Sequence, residues 1–430
     1  MKYGLIGEKL GHSFSKEIHE LLGRYKYELK EISKDKIHDF FIEKDFLAIN
    51  VTIPYKETVI PYLDYIDEKA KLINAVNTVV NVNGKLYGYN TDYLGLKSNL
   101  LTNNISVSDK KVLILGTGGT SKTASVLLKD LGAKEIYFAS TRKSDMPNVC
   151  SYEDAVSLHN DCSFVLNATP CGMFPNNYDC IIDLSRFNNL EAVCDVIYNP
   201  LRTNLIIEAI DKNVKYCNGL YMLVSQAIYA SKYFLNEKID DNSLELTINN
   251  IYNKILEEKE NIVLIGMPSS GKSTIASELS KILGKEYVDT DELIENKIGM
   301  KIKDFLSKDN ENEFREIESS VIKEVSMKNN LIISTGGGII KRYENIKRLK
   351  QNGIIVFIDR PLDLLVCSND RPLSNNIDDL KKLYFERYDV YNKCSDIKVI
   401  NDDSIENIIR NIINELRNRW LYETISYKWT

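Results

Sequence analysis

A phosphate-binding loop is the most specific chemical signal in the chain. Residues 266–273 read Gly-Met-Pro-Ser-Ser-Gly-Lys-Ser, directly after the apolar run 262–265 and before a helical pattern that stops at Gly284. In such a loop, backbone N–H groups surround phosphates, the lysine reaches the β- and γ-phosphates, and the serine hydroxyl ligates Mg²⁺. The motif predicts a nucleoside triphosphate site, without separating a kinase from an ATPase or GTPase. Its expected ligands are Gly266, Ser269, Ser270, Gly271, Lys272, Ser273 and Thr274.

A second glycine turn follows the apolar run 112–115. The helical pattern after it has apolar side chains at 124, 127, 128 and 131. A turn between a strand and a helix lets the backbone approach a pyrophosphate, and the helix N-terminus favours negative charge. The expected contacts are Gly116, Gly118, Gly119 and Thr120, with a purely structural turn as the alternative. Residues 116–123 nearly repeat the triphosphate loop, but Ser121 stands where that loop needs glycine.

The composition indicates a folded protein of more than one domain. The chain has 430 residues, of which 43% are hydrophobic and 27% charged, with a net charge of −6. The negative charge argues against a nucleic-acid-binding protein, which usually carries a basic surface. The apolar runs are too short for a signal peptide or a membrane span. Eight cysteines without zinc-ligand spacing predict reduced thiols. We therefore expect a cytoplasmic protein that acts on small molecules, and the oligomeric state stays open.

Short strands and helices alternate in both halves, which predicts an α/β fold. In the first half we expect strands over 3–7, 48–53 and 135–140 and a helix over 16–22. The predicted domains are a substrate-binding domain at 1–101, completed by about 220–258, a Rossmann-like dinucleotide-binding domain at 102–219, and a P-loop α/β domain at 260–430. Residues 240–260 lack glycine and proline, so we expect a helical connector there rather than a flexible linker.

A series of segments in the first half resembles shikimate dehydrogenase. In chain order these segments are 11–15, 50–56, 74–78, 88–92, 167–173 and 219–227. The resemblance covers about residues 1–258, and it is specific because of the order of the pieces rather than any one of them. It implies reduction of 3-dehydroshikimate to shikimate with a nicotinamide dinucleotide.

The chemistry of such a reduction selects the candidate catalytic residues. A ketone reduced by hydride needs a proton for its oxygen, and a lysine beside a carboxylate can serve as that general acid. Lys56 and Asp92 are the expected pair, with a surface ion pair as the alternative. Ser13 and Ser15 offer hydroxyl donors for the substrate carboxylate. The resemblance implies further substrate contacts from Thr52, Asn77, Asp92 and Gln226, and from Tyr198, for which a core position is the alternative.

The identity of the dinucleotide depends on residues 139–143, which read Ala-Ser-Thr-Arg-Lys. The family usually has Asn-Arg-Thr there, and its arginine binds the 2′-phosphate of NADP. The basic residues come later in this chain, but no acidic residue is present to favour the free ribose hydroxyl of NAD. We expect NADP(H), with Ser140, Thr141 and Arg142 nearest the phosphate and Gly219 also at the cofactor. A quinate/shikimate dehydrogenase that prefers NAD is the closest alternative.

The segments after the phosphate loop resemble shikimate kinase over about residues 260–415. These segments are 289–291, 314–318, 336–338, 371–373 and 387–391. The resemblance implies phosphorylation of shikimate by ATP. It places Asp289 near Mg²⁺ together with Ser273, and it gives Asp291 the task of orienting or deprotonating the acceptor hydroxyl.

The same resemblance assigns the remaining kinase residues. Arg315 and Arg387 are expected to bind the shikimate carboxylate, although exposed helix charges are the alternative. The glycines Gly336, Gly337 and Gly338 would let backbone amides approach the substrate, unless they form a plain loop. Arg371 would act from a lid on the transferring phosphoryl group together with Lys272. The segment 367–371 is short and lacks an arginine often found before this position.

Both resemblances meet in one metabolite, because shikimate is the product of the first reaction and the substrate of the second. The sequence therefore predicts a bifunctional enzyme of the chorismate pathway to the aromatic amino acids. A non-catalytic metabolite sensor is the rival of another class, but it should have lost chemical residues that this chain keeps. Residues 420–430 have no counterpart in either resemblance, and packing on the first half or self-association are the hypotheses for them.

Overall fold

The computed structural model describes residues 1–11, 13–142, 146–306, 310–365 and 377–425. Three sheets, each covered by helices, give the α/β fold that the sequence predicts. No helix among these residues is both long enough and apolar enough to cross a membrane.

The chain divides into two compact units. Residues 1–173 and 179–255 belong to the first unit, whereas residues 174–178 and the described residues between 256 and 425 belong to the second. The boundary falls inside one helix, Asp241–Lys259, which is the helical connector expected over 240–260. The domain limits expected from the sequence stay a prediction, because this division follows contacts rather than sheets.

The first sheet of the first unit is mixed. Its strands are β1 (Tyr3–Gly7), β2 (Glu28–Glu31), β3 (Ala48–Val51), β4 (Tyr65–Ile66), β5 (Thr78–Val82) and β6 (Lys85–Tyr89), in the order β2-β1-β3-β5-β6-β4. The helices within this stretch are α1 (Ser15–Leu21), α2 (Ile37–Glu43), α3 (Glu68–Ile73) and α4 (Thr91–Thr102). Every residue of β3 is buried, as expected for a central strand covered on both faces.

The second sheet of the first unit is entirely parallel. Its strands are β7 (Lys111–Leu115), β8 (Glu135–Ala139), β9 (Val149–Cys150), β10 (Phe164–Asn167), β11 (Ala192–Asp195) and β12 (Lys215–Cys217), in the order β12-β11-β10-β7-β8-β9. The helices are α5 (Gly119–Asp130), α6 (Tyr152–Leu158) and α7 (Asn204–Asp211). The strand order reverses at β7, and ligands of such sheets bind beyond the carboxyl ends of the strands at this switch point.

Two further helices complete the first unit and lead out of it. The helix α8 (Gly219–Phe234) returns to the first sheet, where its Ala230 and Phe234 share a core with Leu5 of β1. The helix α9 (Asp241–Lys259) follows. Because α8 closes the first sheet from a distant part of the chain, it can bring residues near 226 to those near 77.

The second unit has a five-stranded parallel sheet. Its strands are β13 (Asn261–Ile265), β14 (Glu286–Asp289), β15 (Leu331–Ser334), β16 (Gly353–Asp359) and β17 (Ile397–Ile400), in the order β14-β15-β13-β16-β17. Its helices are α10 (Lys272–Leu283), α11 (Thr290–Ile298), α12 (Ile302–Leu306), α13 (Glu311–Ser326), α14 (Tyr343–Asn352), α15 (Ile377–Cys394) and α16 (Ile405–Ile425). The strand β13 is central and fully buried, so it holds the loop that follows it in a fixed place.

Three element limits differ slightly from those expected. The strand expected over 48–53 ends at Val51, because Pro54 has no N–H for a ladder and the chain turns before it. The helix expected over 16–22 spans Ser15–Leu21, and the strand expected over 135–140 ends at Ala139. The tail begins as a continuation of α16, where the buried Trp420 donates from Nε1 to Glu260 Oε2 at 3.0 Å.

Candidate active sites

The candidate general acid of the first unit is half-buried beside its carboxylate. Lys56 lies in the turn after β3 and Asp92 in the first turn of α4. Lys56 Nζ is 2.6 Å from Asp92 Oδ2, with 19% and 12% of the two side chains exposed. Asn90 fixes the start of α4 because its side chain accepts from Tyr93 N. An ion pair with this little exposure is held in one geometry yet still reaches the surface, as a proton donor must.

A buried polar network stands directly beside this pair. Asn77 Oδ1 accepts from Thr91 N at 2.7 Å, and Asn77 Nδ2 donates to Gln226 Oε1 at 3.4 Å. Thr91 precedes Asp92, so the network ties α8 and the segment before β5 to the start of α4. The structure therefore brings together the predicted residues Asn77, Asp92 and Gln226. The sequence reasoning missed Thr91, whose position beside Asp92 was its only signal.

The predicted serines form a second group with Tyr198. Ser13 Oγ donates to Ser15 Oγ at 3.0 Å, and the ring of Tyr198 packs against Phe14 with 5.2 Å between centroids. Burial raises the pKa of Tyr198, while a hydrogen bond with Ser13 opposes this shift. Tyr198 therefore lies at the serines as well as against the core. In the described part of the chain, no hydrogen bond joins this group to the Lys56–Asp92 pair.

Thr52 stands apart from both groups. It lies in the turn after β3, where its N–H donates to Ile6 O at 2.9 Å and its carbonyl accepts from Tyr55 N. Its position in the turn that carries Lys56 is compatible with a substrate contact, which stays a prediction.

The glycine turn after β7 has the shape of a dinucleotide cradle. Gly116 has φ +99°, and a side chain there would lie 2.8 Å from Thr169 Cγ2. Gly118 and Gly119 face open space at the N-terminus of α5, with Thr120 half-buried in its first turn. Backbone N–H groups at a helix start with free space before them fit a pyrophosphate. The residues present therefore fit a bound dinucleotide.

The residues expected near the 2′-phosphate form a small turn after β8. Ser140 Oγ lies 3.4 Å from Thr117 Oγ1 and accepts from Arg142 N at 3.0 Å. Thr141 and Arg142 are exposed. Packing alone requires glycine at 219, because a side chain there would collide with the Val196 carbonyl. Its contact with the cofactor stays a prediction.

A buried carboxylate, missed by the sequence reasoning, joins the loops that follow β10 and β11. Asp195 accepts from Asn167 Nδ2 at 3.1 Å, from Thr203 Oγ1 at 2.7 Å and from Ile197 N at 3.0 Å. Burial raises the pKa of Asp195 to about 6, and these three hydrogen bonds oppose the shift. Asp195 therefore holds two loops together. One is the loop after β11, which carries Tyr198, and the other is the loop after β10, which lies next to Gly116.

Most of the candidate kinase residues of the second unit line one cavity of about 860 Å³. The predicted residues in its wall are Ser269, Ser270, Gly271, Lys272, Ser273, Thr274, Asp291, Arg315, Gly336, Gly337, Gly338 and Arg387. Gly266 and Asp289 are not in this wall, but they contact residues that are. Arg371 lies outside the described residues.

The phosphate loop adopts a tightly curved backbone. Gly266 and Gly271 have φ +148° and +88°, and Ser269 has φ +63°. Lys272 Nζ donates to Gly266 O at 3.0 Å and to Met267 O at 2.8 Å, so the ammonium spans the loop from inside. In a loop of this curvature, successive backbone N–H groups and a lysine can surround a phosphate.

The predicted magnesium residues are in direct contact. Ser273 Oγ donates to Asp289 Oδ2 at 2.9 Å, while Asp289 Oδ1 caps α11 by accepting from Asp291 N. Tyr287 donates its hydroxyl to the same Oδ2 at 3.1 Å, and burial raises the pKa of Tyr287 to about 12. The described residues hold no group of three or more His, Cys, Asp or Glu side chains for a metal. One hydroxyl and one carboxylate fit Mg²⁺, which keeps several waters and binds phosphates.

Two buried arginines face the glycine loop after β15. Arg315 Nη1 donates to both carboxylate oxygens of Glu318 at 2.9 Å, and it lies 2.5 Å from where a side chain on Gly338 would begin. Arg387 Nη1 donates to Gly337 O at 2.7 Å, but its Nε and Nη2 are buried and have no hydrogen-bond partner among the described residues. Unpaired buried guanidinium donors on a cavity wall fit a carboxylate ligand.

Glu318 is a cavity residue that the sequence reasoning did not select. Its burial raises the pKa of the Glu318 carboxyl, and the Arg315 guanidinium opposes the shift. The spacing of three residues on α13 puts Arg315 and Glu318 on one face, which was an available signal. Asp291 lies close to the start of the glycine loop, where a side chain on Gly336 would begin 2.5 Å from Asp291 Oδ1.

Together these features define two classes of enzyme site. A parallel sheet with a glycine turn at its switch point, beside a Lys–Asp pair, is the site of a dinucleotide-dependent oxidoreductase. A P-loop with a hydroxyl–carboxylate metal pair and an arginine-lined acceptor cavity is the site of a small-molecule phosphotransferase.

Comparisons with known proteins agree with both classes. The family model for the shikimate dehydrogenase substrate binding domain matches residues 5–79, and the shikimate kinase model matches residues 268–417. The shikimate dehydrogenase (NADP(+)) of Clostridium beijerinckii is 37% identical over 254 residues, which cover 56% of this chain and 93% of that protein.

Two crystal structures are similar to the same part of the chain. Shikimate dehydrogenase 1 from Peptoclostridium difficile has a TM-score of 0.54 and 38% identity, covering 59% of this chain and 98% of its own. A chorismate mutase/shikimate 5-dehydrogenase fusion protein from Clostridium acetobutylicum has a TM-score of 0.55 and 36% identity, covering 60% and 97%. The chain belongs to the shikimate dehydrogenase family, and a shikimate kinase domain follows in its second half. Both expected resemblances are confirmed.

Proposed function

We propose that this chain catalyses two consecutive reactions of the chorismate pathway. The first is reduction of 3-dehydroshikimate to shikimate by NADPH, and the second is phosphorylation of shikimate by MgATP to shikimate 3-phosphate. The observation that carries the proposal is the presence, in one chain, of the Lys56–Asp92 pair and of the arginine-lined P-loop cavity. Family membership and the kinase domain support the pairing of these activities.

In the reductase site, Lys56 gives a proton to the ketone oxygen as that oxygen gains charge, and Asp92 holds the ammonium in position. NADPH, when bound, supplies the hydride. Asn77 and Gln226 bind ring hydroxyls, and Ser13 and Ser15 bind the carboxylate. The glycine turn holds the pyrophosphate, and Arg142 receives the 2′-phosphate.

In the kinase site, Lys272 and the loop amides hold the phosphates, and Ser273 with Asp289 holds Mg²⁺. Mg²⁺, when bound, screens the negative charge of the phosphates. Asp291 accepts the proton of the acceptor hydroxyl, and Arg315 and Arg387 hold the carboxylate. Arg371 is assigned to the transferring phosphoryl group on the basis of the family pattern alone.

A coupled assay tests both reactions at once. Dehydroshikimate, NADPH and MgATP are supplied to the whole chain, and NADPH loss and ADP formation are followed together. We expect Lys56→Ala to abolish NADPH oxidation while added shikimate is still phosphorylated, and Lys272→Ala to do the reverse. If the unaltered chain binds shikimate without turnover in either assay, the metabolite-sensor alternative is correct.

The proposal extends to the setting of the enzyme. A net charge of −6 and sites shaped for small anions support small-molecule substrates rather than nucleic acid or a membrane as partners. The cysteines of the described residues form no disulfide, which supports a reducing cytoplasm. Fractionation of cells that express the tagged chain tests this location.

A further inference from the structure

A buried asparagine far along the chain contacts the phosphate loop. Asn401 follows β17 directly and is 5% exposed. Its Nδ2 donates to Ser270 O at 2.8 Å, and its backbone N donates to Asp359 O at 2.7 Å. The backbone bond fixes Asn401 to the neighbouring strand β16, so the side chain presents its amide to the loop from a rigid support.

The contact controls one peptide unit of the loop. Because a trans peptide is planar, its carbonyl and its N–H point to opposite sides. A Ser270 carbonyl held towards Asn401 therefore turns the Gly271 N–H the other way. Gly271 lines the cavity. Loops of this kind bind phosphates through their backbone N–H groups, so the orientation of this peptide bears on phosphate binding.

The loop needs such an external constraint. Ser269 and Gly271, on either side of Ser270, have φ +63° and +88°, and glycine at one end leaves the peptide more than one accessible orientation. A side chain on Gly271 would begin 2.9 Å from Asn401 Nδ2. Glycine is therefore needed at 271 for two reasons, which are the positive φ and the close approach of Asn401.

We propose that Asn401 is a positioning residue for the phosphates of ATP, acting through the Ser270–Gly271 peptide and not by touching the nucleotide. The inference rests on the proposed kinase function. A net hydrogen bond is worth about 0.5–1.5 kcal/mol, and about 1.4 kcal/mol is tenfold in affinity. Its loss should therefore weaken phosphate binding by roughly two- to tenfold.

The test uses the whole chain with Asn401→Ala, Asn401→Asp and the exposed control Asn392→Ala. Calorimetry measures the binding of ADP and of inorganic tripolyphosphate, and kinetics give KM for ATP and for shikimate. The dehydrogenase rate of the same chain reports its folded concentration. We expect Asn401→Ala to weaken both ligands and to raise KM for ATP by the same factor, with KM for shikimate unchanged.

Asn401→Asp should weaken binding more, because a carboxylate then faces the Ser270 carbonyl. Weaker ADP binding with unchanged tripolyphosphate binding would mean that Asn401 contacts the base, which overturns the proposal. A lower melting temperature with unchanged affinity for both ligands would show that Asn401 has only a structural role, and this result would also overturn the proposal. Tripolyphosphate binding does not depend on turnover, so failure of this inference is distinct from absence of kinase activity.

Discussion

Lys56 Nζ and Asp92 Oδ2 are 2.6 Å apart, although the two residues are 36 positions apart in the chain. Backbone hydrogen bonds that link the two segments explain why these side chains are close together. The backbone carbonyl of Lys56 accepts from Val76 N, and Asn77 N in turn donates to Tyr89 O at the end of β6, next to α4. Backbone hydrogen bonds thus bring both segments to one edge before any side chain contributes.

This pair gives the first prediction. Lys56→Met keeps the length of the side chain but removes the proton, so the kcat of dehydroshikimate reduction should fall about 10²- to 10⁴-fold. Asp92→Asn should cause a smaller loss. Phosphorylation of shikimate, measured on the same protein, should not change. Lys110→Met, which removes a more exposed ion pair with Glu191, is the control and should leave reduction intact. A fall in kcat of less than fivefold for Lys56→Met would contradict the assignment.

The second prediction concerns the choice of dinucleotide. Arg142→Gln removes the exposed charge after Ser140, so KM for NADPH should rise about tenfold while KM for NADH changes little. The ratio of the two KM values, measured at one ionic strength, is the readout. Arg186→Gln, at another exposed arginine, is the control. Equal changes for both dinucleotides would show that another group binds the 2′-phosphate, and a preference for NADH in the unaltered chain would favour the NAD alternative.

The third prediction follows from the buried donors of Arg387. Arg387→Lys keeps the charge but loses the planar fork, so KM for shikimate should rise about 10- to 100-fold. KM for ATP should change less than twofold, because the phosphate loop is untouched. Initial rates of ADP formation at varied shikimate give both constants. Arg410→Lys on the exposed face of α16 is the control, and a parallel rise in KM for ATP would argue for a general disturbance instead.

The fourth prediction concerns pH and Asp195. Its folded pKa of about 6 exceeds the unfolded value of about 3.9, so between these values the native state binds more protons than the unfolded state. This carboxyl therefore makes wild-type stability fall as the pH rises from about 4 to 6. Asp195→Asn removes that slope, although it also costs hydrogen bonds at every pH.

The readout is the difference in unfolding free energy between Asp195→Asn and wild type, from urea titrations followed by circular dichroism. This difference should shift in favour of the variant by up to about 3 kcal/mol between pH 4 and pH 7. Asp45→Asn, at an exposed carboxyl, should show no such trend. A difference that is constant with pH would mean that Asp195 titrates normally.

Where chemistry is local in the chain, the sequence was sufficient to predict it. The phosphate loop, its preceding strand β13 and the helix α10 lie within 23 consecutive residues, and Lys272 bonds to carbonyls five and six positions away. Backbone angles and glycine positions specify such a loop without help from distant residues. The near-copy at 116–123 was set apart because Ser121 replaces a glycine, and in the structure Lys122 Nζ pairs with Glu57.

The contacts that tune each site needed the tertiary structure. Asn401 reaches Ser270 across 131 positions, Gln226 reaches Asn77 across 149, and Asp195 joins two loops that follow neighbouring strands. Each contact depends on which strands are neighbours and where their loops end. The spacing of apolar residues along the sequence does not reveal either of these. The sequence alone therefore determined the two reactions, and it selected candidate substrate residues whose contacts with substrates stay a prediction. Only the tertiary structure decided how those residues are held, because buried polar partners are set by strand order rather than by spacing along the chain.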